Sequence, residues 1–241
     1  MASPPNYFDD QVALDYDAEH INDDNLDTTI TRLTELADKG TALELAIGTG
    51  RVALPLRAAG IEVSGIELSE PMIAQLRHKP GGKHIHIVTG DMASAQVNRA
   101  FNLVFLVFNT ICNLTTQEQQ VRCFQNAADH LKPGGRFVIE TFVPPIRRLA
   151  ADVDKLAFDV SDTHWGIDEY DLASQNFTSH HLWVRGETSV RRSIPFRFVW
   201  PCELDLMARL AGMELENRWE DWDKKPFTAK SNRHVSVWRK I

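Results

Sequence analysis

The chain has 241 residues, 43% of them hydrophobic and 24% charged, with a net charge of −7. That balance supports one substantial core, leaves no long disordered tract and argues against nucleic acid as the main partner, since phosphate binding depends on clustered Lys and Arg. The longest apolar run, "LVFLVF", falls far short of the roughly 20 residues a membrane helix needs, so no membrane association is expected.

The first residues lack the basic start and apolar middle of a signal peptide, and the cytoplasm is the expected compartment. Cys112, Cys123 and Cys202 are widely spaced and odd in number, which reads as buried small hydrophobes rather than a disulfide or metal framework. The best basic patch, "RRSIPFRF", reads as a strand with exposed arginines.

Residues 1–22 are polar and turn-rich, with "YFDD" and "LDYDAEH" as aromatic-acidic islands. A helix follows from about Asp24 to Lys39, with Leu26, Ile30, Leu33 and Ala37 on one face and Gly40 as its stop. "ALELAI" is a strand, and Gly50 to Ala59 a helix. "IEVSGIEL" is a second strand, after which Ser69 caps a helix beginning "EPMIAQL". "HIHIVTG" and "NLVFLVFN" are the third and fourth strands. The next helix carries Thr115 and Glu118 as a capping box, "KPGG" is a turn, and "RFVIETFV" is a fifth strand. After Pro144 come β-like runs without a long helix. A helix then opens at Pro201 with Leu204, Met207 and Leu210 inward, before two last strands, "MELENRWE" and "HVSVWRK".

The rhythm predicts an α/β fold: a Rossmann-like doubly wound sheet of seven strands with helices on both faces, plus a mostly antiparallel β insertion before the last helix. One domain is expected, with an N-terminal cap segment and helix (1–39), a cofactor-binding core (40–143), a β-rich substrate-binding or dimerisation insertion (144–200) and a closing helix and two strands (201–241).

In such sheets ligands bind beyond the carboxyl ends of the strands at the switch point. The first strand ends in "LELAIGTGR", where Gly48 and Gly50 allow a tight turn into a helix N-terminus that favours negative charge. "GTGRVA" alone also satisfies a permissive dinucleotide fingerprint. Three carboxylates add weight. Glu44 lies on the first strand, where a dinucleotide-binding protein keeps an apolar residue; Glu67 closes the second strand, where it can accept ribose hydroxyls; Asp91 closes the third. Each taken singly also reads as a cap or surface carboxylate.

"LELAIGTGR", "GIELSEPMI", "TGDM", "FNLVFLVFNT" and "HLKPGGRFVIE", in this order and spacing, resemble the successive motifs of class I S-adenosylmethionine-dependent methyltransferases. The likeness spans about residues 40–142. The insertion and the N-terminal "YDAEH" are similar to small-molecule members such as amino-sugar N-methyltransferases of antibiotic pathways. The resemblance implies S-adenosyl-L-methionine as cofactor, with Glu44, Ala46, Gly48 and Gly50 around its methionine moiety and Arg51 beside them. It implies Glu67 at the ribose, with Leu68 and Met72 nearby, and Gly90, Asp91 and Met92 at the adenine. Val107, Phe108 and Asn109 would line the methionine side, and Tyr16 would lie near the sulfonium. Glu44 replaces the commoner aspartate, and Ala46 the first of three usual glycines.

Methyl transfer needs mainly alignment and exclusion of water, with a base only where the acceptor arrives protonated. No metal-ligand spacing stands out, and none is expected. Candidate catalytic residues are His181, His180 and Tyr16. The two histidines are adjacent on one strand and point to opposite faces, and His181 shares its face with Phe177 and Trp183. Candidate acceptor-binding residues are His20, Trp183, Arg197 and Trp200, with His164 and Trp165 in an expected loop, "DTHWG". The expected partner is a small-molecule acceptor, and a homodimer through the β insertion is a further expectation. Two alternatives stay open: a cofactor-retaining non-methylating enzyme or regulator on the same fold, and an NAD(P)-dependent reductase.

Overall fold

The computed structural model describes residues 7–19 and 25–241. A helix the sequence did not announce comes first, α1 (Asp10–Glu19), in the stretch read as polar and turn-rich. Asp9 starts it by accepting a 2.9 Å hydrogen bond from the Val12 amide. Then follow α2 (Leu26–Ala37), β1 (Thr41–Leu45), α3 (Ala53–Ala58), β2 (Glu62–Glu67), α4 (Glu70–His78), β3 (His86–Thr89), β4 (Phe101–Leu106), α5 (Gln117–His130) and β5 (Leu131–Phe142). The insertion holds β6 (Lys155–Val160), β7 (His164–Asp171), β8 (Asn176–Arg185) and β9 (Thr188–Arg197), and the chain ends with α6 (Pro201–Leu210), β10 (Met213–Trp219) and β11 (Arg233–Lys240).

Seven strands form one sheet in the order β10-β11-β5-β4-β1-β2-β3. The strands from β5 to β3 pair in parallel, and β11 is antiparallel to both β5 and β10. The order reverses between β1 and β4, which opens a crevice at their carboxyl ends. Strand alternation divides the core: Leu43, Leu45, Val104 and Leu106 pack with Phe124 of α5 and Met207 of α6 on one face. Ala42, Leu103 and Phe105 pack with Leu33, Leu56 and Leu76 on the other. Glu44 lies on this second face, paired with Phe105 of β4. β6 to β9 form a separate antiparallel sheet. Among the described residues, no helix is long and apolar enough to cross a membrane.

Several local expectations shift. The capping box of α5 is Thr116 with Gln119, one residue later than Thr115 with Glu118, because the helix starts at Gln117. "KPGG" is taken into β5, where pairing with β4 jumps from Phe101↔Leu131 to Leu103↔Arg136. "DTHWG" is not a loop: a short turn closed by Ser161 N–H on the His164 carbonyl (2.9 Å) puts His164 and Trp165 on β7. Leu210 faces out, since the inward stripe of α6 is Leu204, Met207 and Ala208, continued by Ala211.

Candidate active site

The glycine turn after β1 is built against the end of β2. The Gly48 and Ser69 amides each donate a 2.8 Å hydrogen bond to Glu67, one to each carboxylate oxygen. Gly48 has φ +57, and a Cβ there would meet nothing nearer than the Met72 methyl at 3.7 Å, so its backbone face is open to a ligand. Ala46 also takes a left-handed φ, 55. For a residue with a Cβ this costs about 1 kcal/mol, the consequence of having alanine at that turn.

Glu44 is buried, and its Oε2 has no hydrogen-bond partner among the described residues. Burial holds its carboxyl well above the usual range, a shift the nearby Arg51 guanidinium only partly opposes. An orphaned buried acceptor of this kind is completed by a cationic donor. Burial also raises Glu67, against the pull of its amide donors. Asp91, after β3, accepts from the Ala93 amide at 2.9 Å, while Gly90 N–H donates to the Glu67 carbonyl at 2.8 Å. Met72 and Met92 are buried and Leu68 half-buried beside these carboxyl ends.

Helix α1 lies across this turn. Thr49 Oγ1 donates to Asp17 at 2.7 Å, Lys79 pairs with Asp17 at 2.5 Å and donates to the Thr49 carbonyl at 2.8 Å, and Ser69 Oγ donates to the Phe8 carbonyl at 2.6 Å. Burial raises the Tyr16 phenol, which is hydrogen-bonded to Arg51. Arg51 in turn sits 4.6 Å from the centre of the Phe108 ring.

Beyond Phe108 lies a cavity of about 570 Å³ between α1, the loop after β4 and one face of the antiparallel sheet. Register decides what that face offers: Asp168 opposes Ser179, Gly166 opposes His181, and His164 opposes Trp183. β9 adds Phe196, Ile194, Arg192 and Val190 opposite Phe177, Ser179, His181 and Trp183. The walls are thus mainly aromatic, with Asp168, Ser179, His181, Arg185 and Arg192 as polar groups on the sheet side and Asp15, Tyr16 and Asn109 among those on the other. Burial first, then the neighbouring His164 and His180, push His181 down to about 4, leaving it neutral at physiological pH. Cys112 also lines the cavity, but burial pushes its thiol up to about 12, so it is no nucleophile. Val107 is buried in the core rather than in the cavity wall, and Asn109 Oδ1 accepts from the Phe142 amide at 2.9 Å.

The structure separates the other candidates from this cavity. His180 points to the opposite face, where it meets Ser193 at 2.8 Å and Glu169 at 3.2 Å. Arg197 is buried behind the sheet in an ion pair with Glu203 at 2.7 Å and a hydrogen bond to Gln120. Trp165 is on that back face, 53% exposed. Trp200 precedes α6 and lines a second hollow with Phe227. Phe196 of β9 lines the cavity, whereas Phe198, two residues on, is buried against Tyr170 and Trp200. His164 stands one ring behind His181 (2.9 Å), and Trp183 stacks on both. His20 lies outside the described residues. Sequence reasoning missed Asp168, Ser179, Arg192 and Phe158; alternation from Phe177 to Trp183 already placed Ser179 on the right face.

A family model described as a methyltransferase domain matches residues 42–135. The CcbJ methyltransferase of Streptomyces caelestis is 35% identical, with 90% of each chain covered and a TM-score of 0.82. The chain belongs to the S-adenosylmethionine-dependent methyltransferases. The methyltransferase is also 28% identical to the cypemycin N-terminal methyltransferase of a Streptomyces species over 83% of both chains. It shares its fold with CalS10, an amino pentose methyltransferase of Micromonospora echinaspora solved with S-adenosylmethionine bound (19% identity, all of both chains covered, TM-score 0.73). The turn of this methyltransferase fits that cofactor on its own geometry: a buried carboxyl at Glu44 whose Oε2 has no partner among the described residues, an open backbone face at Gly48 and an oriented carboxylate at Glu67.

Proposed function

We propose that this methyltransferase methylates an amine nitrogen of a small molecule seated in the aromatic cavity. The observation that carries the reading is that one cavity is lined by both the Asp168 carboxyl and the neutral His181 imidazole among the rings of Phe142, Phe158, Phe177, Trp183 and Phe196. Aromatic faces and a nearby carboxylate suit an ammonium group, and a neutral histidine can remove its proton to expose the nitrogen lone pair. Two relatives named for methylating an N-terminus and an amino pentose support the same acceptor chemistry.

S-Adenosylmethionine supplies a methyl group already activated by positive sulfur. In this reading Glu44 and Gly48 hold its methionine end, Glu67 its ribose and the Asp91–Met92 turn its adenine. Tyr16 and Arg51 close over the junction with the cavity, and α1 excludes water. The aromatic walls align the acceptor, and His181 takes the proton. The exposed Val160 and Trp165 at the outer hairpin of the antiparallel sheet are the surface through which two copies would pair; light scattering that shows only monomer would dispose of the dimer.

The test is incubation with S-adenosylmethionine and a panel of amino sugars, peptide N-termini and phenols, read by mass spectrometry. Gain of a methyl group on amine members supports the reading. Methylation confined to the phenols overturns it.

A further inference from the structure

Side chains of the antiparallel sheet form one unbroken hydrogen-bonded chain from the cavity to its outer side. His181 Nε2 is 3.1 Å from Ser179 Oγ, His181 Nδ1 is 2.9 Å from His164 Nε2, and His164 Nδ1 is 2.6 Å from Asp159 Oδ2. A carboxylate only accepts, so the His164 proton sits on Nδ1. His164 Nε2 is then an acceptor, which puts the His181 proton on Nδ1 and leaves the lone pair of His181 Nε2 facing Ser179 and the cavity. One end of the chain therefore assigns both tautomers. Neither His164 nor Asp159 lines the cavity, so both act through His181 as positioning residues.

We propose that this chain is the proton exit of the methyl transfer: His181 takes the proton of the acceptor ammonium and passes one on through His164 to Asp159. The proposal rests on the reading of the cavity as the amine site. In the step, the acceptor N–H bond breaks with its electron pair left on nitrogen, and an N–H bond forms at His181 Nε2. The His181 Nδ1–H bond breaks as an N–H bond forms at His164 Nε2. His181 is again neutral, in the opposite tautomer, and the charge rests on a His164 imidazolium facing the Asp159 carboxylate. Nothing is oxidised or reduced. The Asp159 side chain is 44% exposed and hands the proton to water, whereas the His164 side chain is 18% exposed. Loss of that proton and return of the rings to their first tautomers complete the cycle.

The relay answers a difficulty that His181 has by itself. Held down to about 4 by burial and by its histidine neighbours, it does not keep a proton at neutral pH. One ring outward, the proton meets a carboxylate. The geometry is fixed by stacking: Trp183 lies 4.9 Å from the His181 ring and 5.1 Å from the His164 ring, and Phe158 meets His181 edge-on at 5.4 Å. The charged and titratable groups around the two rings are Asp159 on β6, Asp168 on β7, His180 on β8 and Arg192 opposite His181 on β9.

The full chain labelled with 15N-histidine tests this without any acceptor, because long-range proton–nitrogen correlation reads each ring nitrogen. Above neutral pH both His164 and His181 should carry their proton on Nδ1. When the chain takes up a proton, the His181 proton should move from Nδ1 to Nε2. Asp159→Ala should abolish that coupled change and leave S-adenosylhomocysteine affinity within about twofold. A His181 that keeps its Nδ1 proton throughout, or titrates independently of His164, overturns the relay. Loss of the amine reading itself would show separately, as absence of methyl gain in the amine panel.

Discussion

The carboxylate of Glu67 accepts a 2.8 Å hydrogen bond from the Gly48 amide, tying the end of β2 to the turn after β1. Its other oxygen takes the Ser69 amide, so one side chain organises two segments of the crevice. Glu67→Ala would strand both donors, at about 1–3 kcal/mol each. Chemical denaturation should show a loss of that order for the alanine variant and a smaller one for Glu67→Gln, which keeps an acceptor.

Glu44 should weaken the free protein. Its folded carboxyl lies well above the unfolded value of 4.5, so the folded state holds the extra proton. The associated stability is present below the unfolded value and is lost as pH rises through the folded one. Glu44→Gln should therefore raise Tm at neutral pH and flatten its pH dependence, while weakening binding of the cationic cofactor. A variant with lower Tm and unchanged affinity would contradict this.

The acid side has the opposite sign. Burial pushes His234 down to about 3, with Arg218 adding to it, and His181 down to about 4. Both are neutral in the fold and charged when unfolded below 6.5, so stability present above 6.5 is lost as pH falls towards 4. Tm measured across this range should fall with pH, and His234→Gln should reduce the slope.

Much of the crevice was legible because its signals are local: a carboxylate in an apolar strand at Glu44, glycines at a strand end, a carboxylate closing the next strand. Helix α1 was not, because it docks through Asp17 and the Phe8 carbonyl rather than through an apolar stripe, and only Ala13 of its described side chains is buried. The assignment of Arg197 failed for a related reason. Alternation places it behind β9, but its buried partner Glu203 comes from α6, which no local pattern shows. Asp168 stayed hidden until strand pairing set it opposite Ser179.

Gly166 keeps room for the cavity wall. A Cβ there would lie 2.3 Å from the Phe158 ring, which lines the cavity. Gly166→Ala should turn that ring outward, raising KM for the proposed amine acceptor severalfold with S-adenosylhomocysteine affinity unchanged. Equal loss of both would mean that the substitution damages the fold instead.

The most direct measurement is calorimetric titration with S-adenosylhomocysteine, with NADH as the parallel control. One site of near-micromolar strength, about −8 kcal/mol, weakened at least tenfold by Glu67→Ala and matched by no heat from NADH, is the predicted result. Affinity indifferent to Glu67→Ala, or saturable binding of NADH in its place, would contradict the assignment of the crevice.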